Sequence, residues 1–246
     1  TTAIGNAAFG YASLDANTTG AQLTAIGYNA GTANTTGANS TFLGYQAGNA
    51  VTTGQQNTIL GMNAATALTT GADNTFVGCG AGEVISTSSA NNVAVGRLAL
   101  QAAGIRSNNT AIGMHALTAT TTGAQNVALG KSAGASLTTG TYNVLIGYNV
   151  QAAAVGGTNE IVIGSGNQVG KGNSSGYISP GGGPMYNGQN STVWVAVSDR
   201  RIKKDIVPNT KGLAAINQIE PKNFYYKSDE ELQEEMPGAK EDLPLN

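Results

Sequence analysis

One short phrase recurs along the whole first two-thirds of this chain. Thr41-Phe42-Leu43-Gly44, Thr58-Ile59-Leu60-Gly61, Thr75-Phe76-Val77-Gly78, Thr110-Ala111-Ile112-Gly113 and Val144-Leu145-Ile146-Gly147 are versions of it. Read from the sequence, the closing glycines fall at 5, 27, 44, 61, 78, 96, 113, 130, 147 and 164, so after a first gap of 22 the spacing is 17 with a single 18. A fixed period of this kind marks a repeat architecture and outranks any single residue. Two variable residues follow each glycine, then Ala (Ala30, Ala47, Ala64, Ala81, Ala99, Ala116, Ala133). Thr-Thr-Gly comes later in most units, and an Asn reopens the cycle.

A 17-residue unit is too short for a helical hairpin, and Gly with Thr at this density opposes helix. Thr followed by two aliphatics favours strand, while Gly and Thr-Thr-Gly-x-x-Asn supply turn residues. The expected fold is mainly β: a parallel β-solenoid of about ten 17-residue coils. Stacked at about 4.8 Å per rung, the array would stand roughly 45 Å tall. The column Ile26, Leu43, Leu60, Val77, Val95, Ile112, Leu129, Ile146, Ile163 is expected to fill the interior. Its neighbour (Ala25, Phe42, Ile59, Phe76, Ala94, Ala111, Ala128, Leu145, Val162) must then face outward. Both columns are apolar, so the outer face needs a cover. Three identical coils, intertwined or side by side, would provide it; a lone solenoid with a mildly apolar exterior is the alternative.

Charge sets the domain boundary. Residues 1–197 hold eight charged side chains (Asp15, Asp73, Glu83, Arg97, Arg106, Lys131, Glu160, Lys171), and residues 198–246 hold the other 18. The solenoid is assigned to 1–164, a Gly/Ser-rich transition with a short β segment (192–197) to 165–197, and a separate unit to 198–246. The long first unit, Asn6 to Leu23, is expected to bulge as a loop. A second irregular turn is expected at Ser86–Ser89, and Ile105-Arg106-Ser107 stands at the equivalent place one unit later. In the last unit Leu213–Ile219 reads as a short helix, Pro221–Tyr226 as a strand and Asp229–Glu235 as an acidic helical turn. Thr1 begins in mid-repeat, so the sequence is expected to be part of a longer one.

A net charge of −2 and the lack of a basic patch interleaved with aromatics argue against a nucleic-acid partner. No apolar run approaches the ~18 residues of a membrane span, so no membrane insertion is expected. A single cysteine, Cys79, excludes intrachain disulfides.

Chemistry concentrates at Ser198-Asp199-Arg200-Arg201-Ile202-Lys203-Lys204-Asp205-Ile206. From the residues alone, Ser198-Asp199 is a good helix N-cap and the basic run a solvated face. This stretch, with Ile219-Glu220-Pro221 and Phe224-Tyr225-Tyr226, resembles the start of the intramolecular chaperone domain of phage tail fibres and tailspikes, the endosialidase-type self-cleaving serine peptidases. The repeats are also similar to those of tail-fibre proteins and to the β-roll heads of trimeric autotransporter adhesins. The resemblance implies a small α+β chaperone segment that trimerises, registers three chains and cuts itself off before the motif's serine. Here the bond would be Val197–Ser198, with Ser198 as nucleophile and Lys203 as general base. A serine hydroxyl needs a base to take its proton, and a lysine serves only where desolvation depresses its pKa. Burial in an assembled trimer would supply that, tying cleavage to assembly. The long helical portion that completes such domains is missing from 198–246.

Other residues offer less. His115 is the only histidine, with no triad partner and no metal-ligand spacing. Cys79 fills the slot held elsewhere by Tyr28, Tyr45, Met62 and Met114, a spacer position. Asp73 and Glu83 are the nearest carboxylate pair of the array for glycan hydrolysis. No metal and no cofactor is expected. The residues and the resemblance together give a homotrimeric tail fibre or adhesin of a virion or phage-like particle. It would bind a host-surface receptor, glycan or protein, and join other fibre or baseplate proteins. A glycan-degrading tailspike, an envelope-anchored autotransporter-like adhesin and an ice-binding solenoid are the alternatives. Enzymatic turnover is not expected beyond one self-cleavage.

Overall fold

A computed structural model describes residues 3–196 apart from 103, 105, 106, 182, 183, 189 and 190. Its strands are β1 (Ala7–Phe9), β2 (Thr24–Ile26), β3 (Thr41–Leu43), β4 (Thr58–Leu60), β5 (Thr75–Val77), β6 (Val93–Val95), β7 (Thr110–Ile112), β8 (Val127–Leu129), β9 (Val144–Ile146), β10 (Ile161–Gly164), β11 (Gly176–Ser179), β12 (Met185–Asn187) and β13 (Val195–Ala196). Each of β1–β10 pairs in parallel with the next, in register with the repeat: Thr41↔Thr58, Phe42↔Ile59, Leu43↔Leu60. This is the parallel β-solenoid, one short strand per turn, and the expected helix content of the repeat region is nil among the described residues.

Each turn needs the chain to reverse several times within 17 residues, and left-handed backbone does this. Positive φ recurs at the second residue after the closing glycine (Asn29, Gln46, Asn63, His115), at the fourth (Leu14, Ala65, Leu100, Leu117) and just before the ladder Asn (Gln56, Asp73, Asn108, Gln125). The closing glycines hold φ near 135°, and each stacks on the next. A Cβ at Gly113 would collide with the carbonyl of Gly130. Only glycine permits backbones this close.

The first turn departs from expectation. Ala7-Ala8-Phe9 is β1, and Gly10 (φ 135°), not Gly5, stacks on Gly27. The spacing is therefore 17 from the start and no bulge forms. At the 18-residue turn the extra residue is absorbed without loss of register. The Thr87 carbonyl accepts from Thr69, Thr70 and Gly71, and Thr75 still pairs with Val93. At the other end β11 adds a further parallel rung (Ile161↔Gly176), and β12 and β13 follow antiparallel, so the Gly/Ser-rich segment carries three short strands.

The two strand columns are the reverse of the expectation. The middle residue of each strand faces in: Ala25, Phe42, Ile59, Phe76, Ala94, Ala111, Ala128, Leu145 and Val162 are completely buried. Ile26, Leu43 and Ile112 are about 40% exposed and face out. A three-residue strand has one inward position and two outward ones, and both columns are apolar, so hydrophobicity could not choose between them. Size does. Where the inward residue is large, the residue six positions on is small (Phe42 with Gly48, Ile59 with Ala65, Phe76 with Gly82). In two rungs where it is Ala, that position is Leu (Ala94 with Leu100, Ala111 with Leu117). In two others both residues are small (Ala25 with Gly31, Ala128 with Gly134), and side chains of the adjoining rungs reach in: Phe42 and Leu14 beside Gly31, Leu117 and Leu145 beside Gly134. A Cβ on Gly48 would run into the Phe42 ring, as one on Gly82 would into Phe76. Neighbouring rungs thus share the interior volume, as close packing requires.

One interior corner is polar. Asn57, Asn74, Asn92, Asn109, Asn126 and Asn143 are buried and stack in a ladder. From Asn57 to Asn126 each Oδ1 accepts from the backbone N–H of the next rung's Asn, as Asn126 N–H donates to Asn109 at 3.0 Å, and from that rung's Nδ2 at 2.9–3.4 Å; Asn143 Oδ1 accepts from the Glu160 N–H at 3.0 Å. The Nδ2 groups also donate to carbonyls across the corner, such as Gly123 and Gly140. The ladder satisfies backbone groups that the tight corner leaves without strand partners.

Candidate processing site and exposed surfaces

The chain reaches the candidate cleavage point through β11–β13. The indole of Trp194 packs over Gly176 of β11, where an added Cβ would lie 3.1 Å from Cζ2. Asn187 Nδ2 donates to the carbonyls of Ser191 (3.1 Å) and Val193 (3.0 Å), and Ser191 Oγ donates to the Val193 carbonyl (3.0 Å). These bonds turn the chain so that β13 returns antiparallel to β12, Met185↔Ala196. The Val197–Ser198 bond begins one residue beyond this paired strand. Val197, Ser198 and Lys203 themselves lie outside the described residues, as do the helix, strand and acidic turn expected beyond them.

The structure places the other candidates singly. His115 sits at the left-handed turn position that Asn29, Asn63 and Asn149 fill elsewhere, with φ 60°. His and Asn are among the residues that tolerate this backbone best. Its Nε2 lies 3.5 Å from a guanidinium nitrogen of Arg97. Cys79 is a free, half-buried thiol in the spacer column. Asp73 occupies the exposed corner before β5, whereas Glu83 lies past β5 and accepts from Gln101 Nε2 at 2.9 Å. Among the described residues no group of three or more His, Cys, Asp or Glu side chains gathers to hold a metal ion.

Three features escaped the sequence reading. Glu160 takes the Asn ladder's place one rung after Asn143 and is completely buried. Its carboxyl group accepts from the Ala153 N–H (3.1 and 3.3 Å) and presses on Gly157 and Gly170, where any Cβ would collide with it. The column register, 17 residues from Asn143, was the available signal. Tyr11, Tyr28 and Tyr45 form an exposed stack with ring centroids 5.2 and 5.3 Å apart and planes within 13°. The outward aliphatic column, assigned inward from the sequence, forms a continuous apolar stripe beside them.

The decisive observation for the chain's last segment comes from comparison. Residues 198–241 match the Peptidase_S74 family, described as chaperone of endosialidase. The match begins at Ser198, two residues after the last described strand ends and at the residue assigned as nucleophile. Peptidase_S74 at this position, with the β-solenoid before it, fits a tail-fibre-type protein carrying an endosialidase-type chaperone domain. No curated protein and no solved structure matches the chain at a significant level.

Proposed function

We propose that this chain is the rod and the start of the chaperone of a homotrimeric tail fibre on a virion or phage-like particle, and that the rod binds a host cell surface. The observation that carries the reading is a Peptidase_S74 match placed directly after a parallel solenoid. A solenoid of this kind supplies a stiff scaffold whose corners vary freely, which suits a receptor-binding shaft. The chaperone holds three chains in register while rungs form, then leaves in two steps: Ser198 Oγ attacks the Val197 carbonyl and breaks its bond to the Ser198 nitrogen, giving an ester and a free amine that takes up a proton, and water then hydrolyses the ester. Lys203 takes the hydroxyl proton as general base. Other fibre or baseplate proteins would hold the assembly.

The test is the intact mass of the full-length protein beside Ser198→Ala, measured natively and after denaturation. Scission between Val197 and Ser198 in the parent and not in the variant is expected. An uncut parent with its whole chaperone domain present would reduce Ser198 to a helix cap and remove the maturation step.

A further inference from the structure

The geometry points to the outward face of β1–β10 as the seam along which copies of this chain pack, side by side, parallel and in register. The inference rests on the fibre reading above and names the surface that reading needs.

The third position of each strand is Phe9, Ile26, Leu43, Leu60, Val77, Val95, Ile112, Leu129, Ile146 and Ile163, and no polar residue interrupts the column. All of these face outward; Phe9 is 77% exposed and Ile112 40%. The exposed Thr-Thr-Gly corners of the same rungs are polar (Thr36, Thr53, Thr70, Thr122, Thr139), so the array does not tolerate aliphatics outside generally. Single exposed apolar residues need no explanation, but a contiguous stripe this long marks an interaction surface.

The first strand position faces the same way and changes along the array. It is Thr in β2–β5 (Thr24, Thr41, Thr58, Thr75) and aliphatic in β8–β10 (Val127, Val144, Ile161). The face is therefore two aliphatic columns wide in the rungs nearest in sequence to the chaperone match, and one column wide farther away.

The occupant is a second copy. An apolar partner that follows this face over its whole length must repeat at the same rung spacing of about 4.8 Å, and another copy does so automatically. Area supports the same choice. Ten rungs of a three-residue strand, about 10 Å wide, present on the order of 500 Å². That falls short of the ~800 Å² per partner of a stable interface. The flanking column adds to the face; it reads Tyr11, Tyr28, Tyr45, Met62, Cys79, Arg97, Met114, Lys131 and Tyr148, uncharged except at Arg97 and Lys131. A sugar ligand fits this flank poorly. Sugars stack on ring faces, and the Tyr11, Tyr28 and Tyr45 rings already spend their faces on one another.

The test uses the full-length protein with Cys79→Ser, which removes the only cysteine, and a single new cysteine at Val77, Ile112 or Ile146. Thr139→Cys on the exposed corner is the control. Each variant is checked for native β-structure by circular dichroism and for mass by light scattering, then treated with mild oxidant and a short bis-maleimide. Cross-linking between copies at the three face positions and none at Thr139 is the expected result. Self-association with no cross-link at any face position overturns the seam while leaving the fibre reading standing. Cross-linking at Thr139 instead relocates the contact to the opposite corner. A monomer at micromolar concentration overturns both. A graded test adds Val144→Lys and Thr41→Lys: the first weakens association at least tenfold more than the second, and equal effects would remove the gradient.

Discussion

A buried carboxamide is worth what its partners make it, and this chain holds the same group in two settings. Asn109 accepts from the N–H and the Nδ2 of Asn126, and donates to Gly123, Ser107 and Asn92. Asn109→Ala strips all of these at once and leaves buried donors and acceptors alone, each costing about 1–3 kcal/mol. We expect a loss of at least about 3 kcal/mol, read from denaturant unfolding. Asn34 is equally buried, yet neither its Nδ2 nor its Oδ1 has a protein partner. One, two and three rungs on, its column reads Val51, Leu68 and Ile85, all buried. Asn34→Val is therefore expected to stabilise by about 1–2 kcal/mol; destabilisation would show that its amide is satisfied by bound water. Glu160, the acidic end of the ladder, belongs beside them. Glu160→Gln keeps an acceptor for the Ala153 N–H and puts an amide where the rungs before it carry one, so equal or greater stability is expected, read from denaturant unfolding.

At the scale of the element, the packing unit is a rung together with its neighbours rather than a string of propensities. Phe42→Ala opens a cavity and should cost about 3–5 kcal/mol. Gly48→Leu alone drives a side chain into Phe42. Together they recreate the Ala111–Leu117 rung, in which Leu already accepts φ 49°. The double variant should recover about 2 kcal/mol relative to the sum of the singles, a coupling that a double-mutant cycle reads directly; strict additivity would mean the two positions do not share a volume. This packing also explains what the sequence disclosed and what it hid. The period, the glycine stack and the parallel register were legible, because every rung repeats them. The inward face was not, because Phe42 and Leu43 are equally apolar and a three-residue strand gives no longer alternation to settle the parity. The clue on offer was partial: residues six apart compensate in size in the Phe42, Ile59, Phe76, Ala94 and Ala111 rungs but not in the Ala25 and Ala128 rungs. The first rung was misplaced for a similar reason, since Gly5 and Gly10 both close a short apolar run and only stacking on Gly27 distinguishes them. The Ser198 stretch was legible in another way: its resemblance to the chaperone family is met by the match at 198–241, while its residues alone read as a cap and a charge run.

At the scale of the molecule, the two parts impose different requirements on the same assembly. A stack of rungs has no internal means of choosing register between copies, because shifting one copy by a whole rung along the seam preserves every aliphatic contact except those at the ends. The change from Thr24, Thr41, Thr58 and Thr75 to Val127, Val144 and Ile161 breaks that degeneracy only partly. A registering domain at the C-terminal end removes it, which is the role a Peptidase_S74 segment at 198–241 would fill. Cleavage should then report assembly. If Lys203 acts as base only when neighbouring copies bury it, the fraction cut at Val197–Ser198 must rise with protein concentration through the range in which light scattering detects association. Ile146→Lys on the seam must shift that range upward by at least tenfold, while Thr139→Lys leaves it in place. A cleavage rate constant unchanged from nanomolar to micromolar chain would mean that each copy cuts itself unaided. Assembly would then have to be driven by the rod's own apolar face rather than proofread by its chaperone.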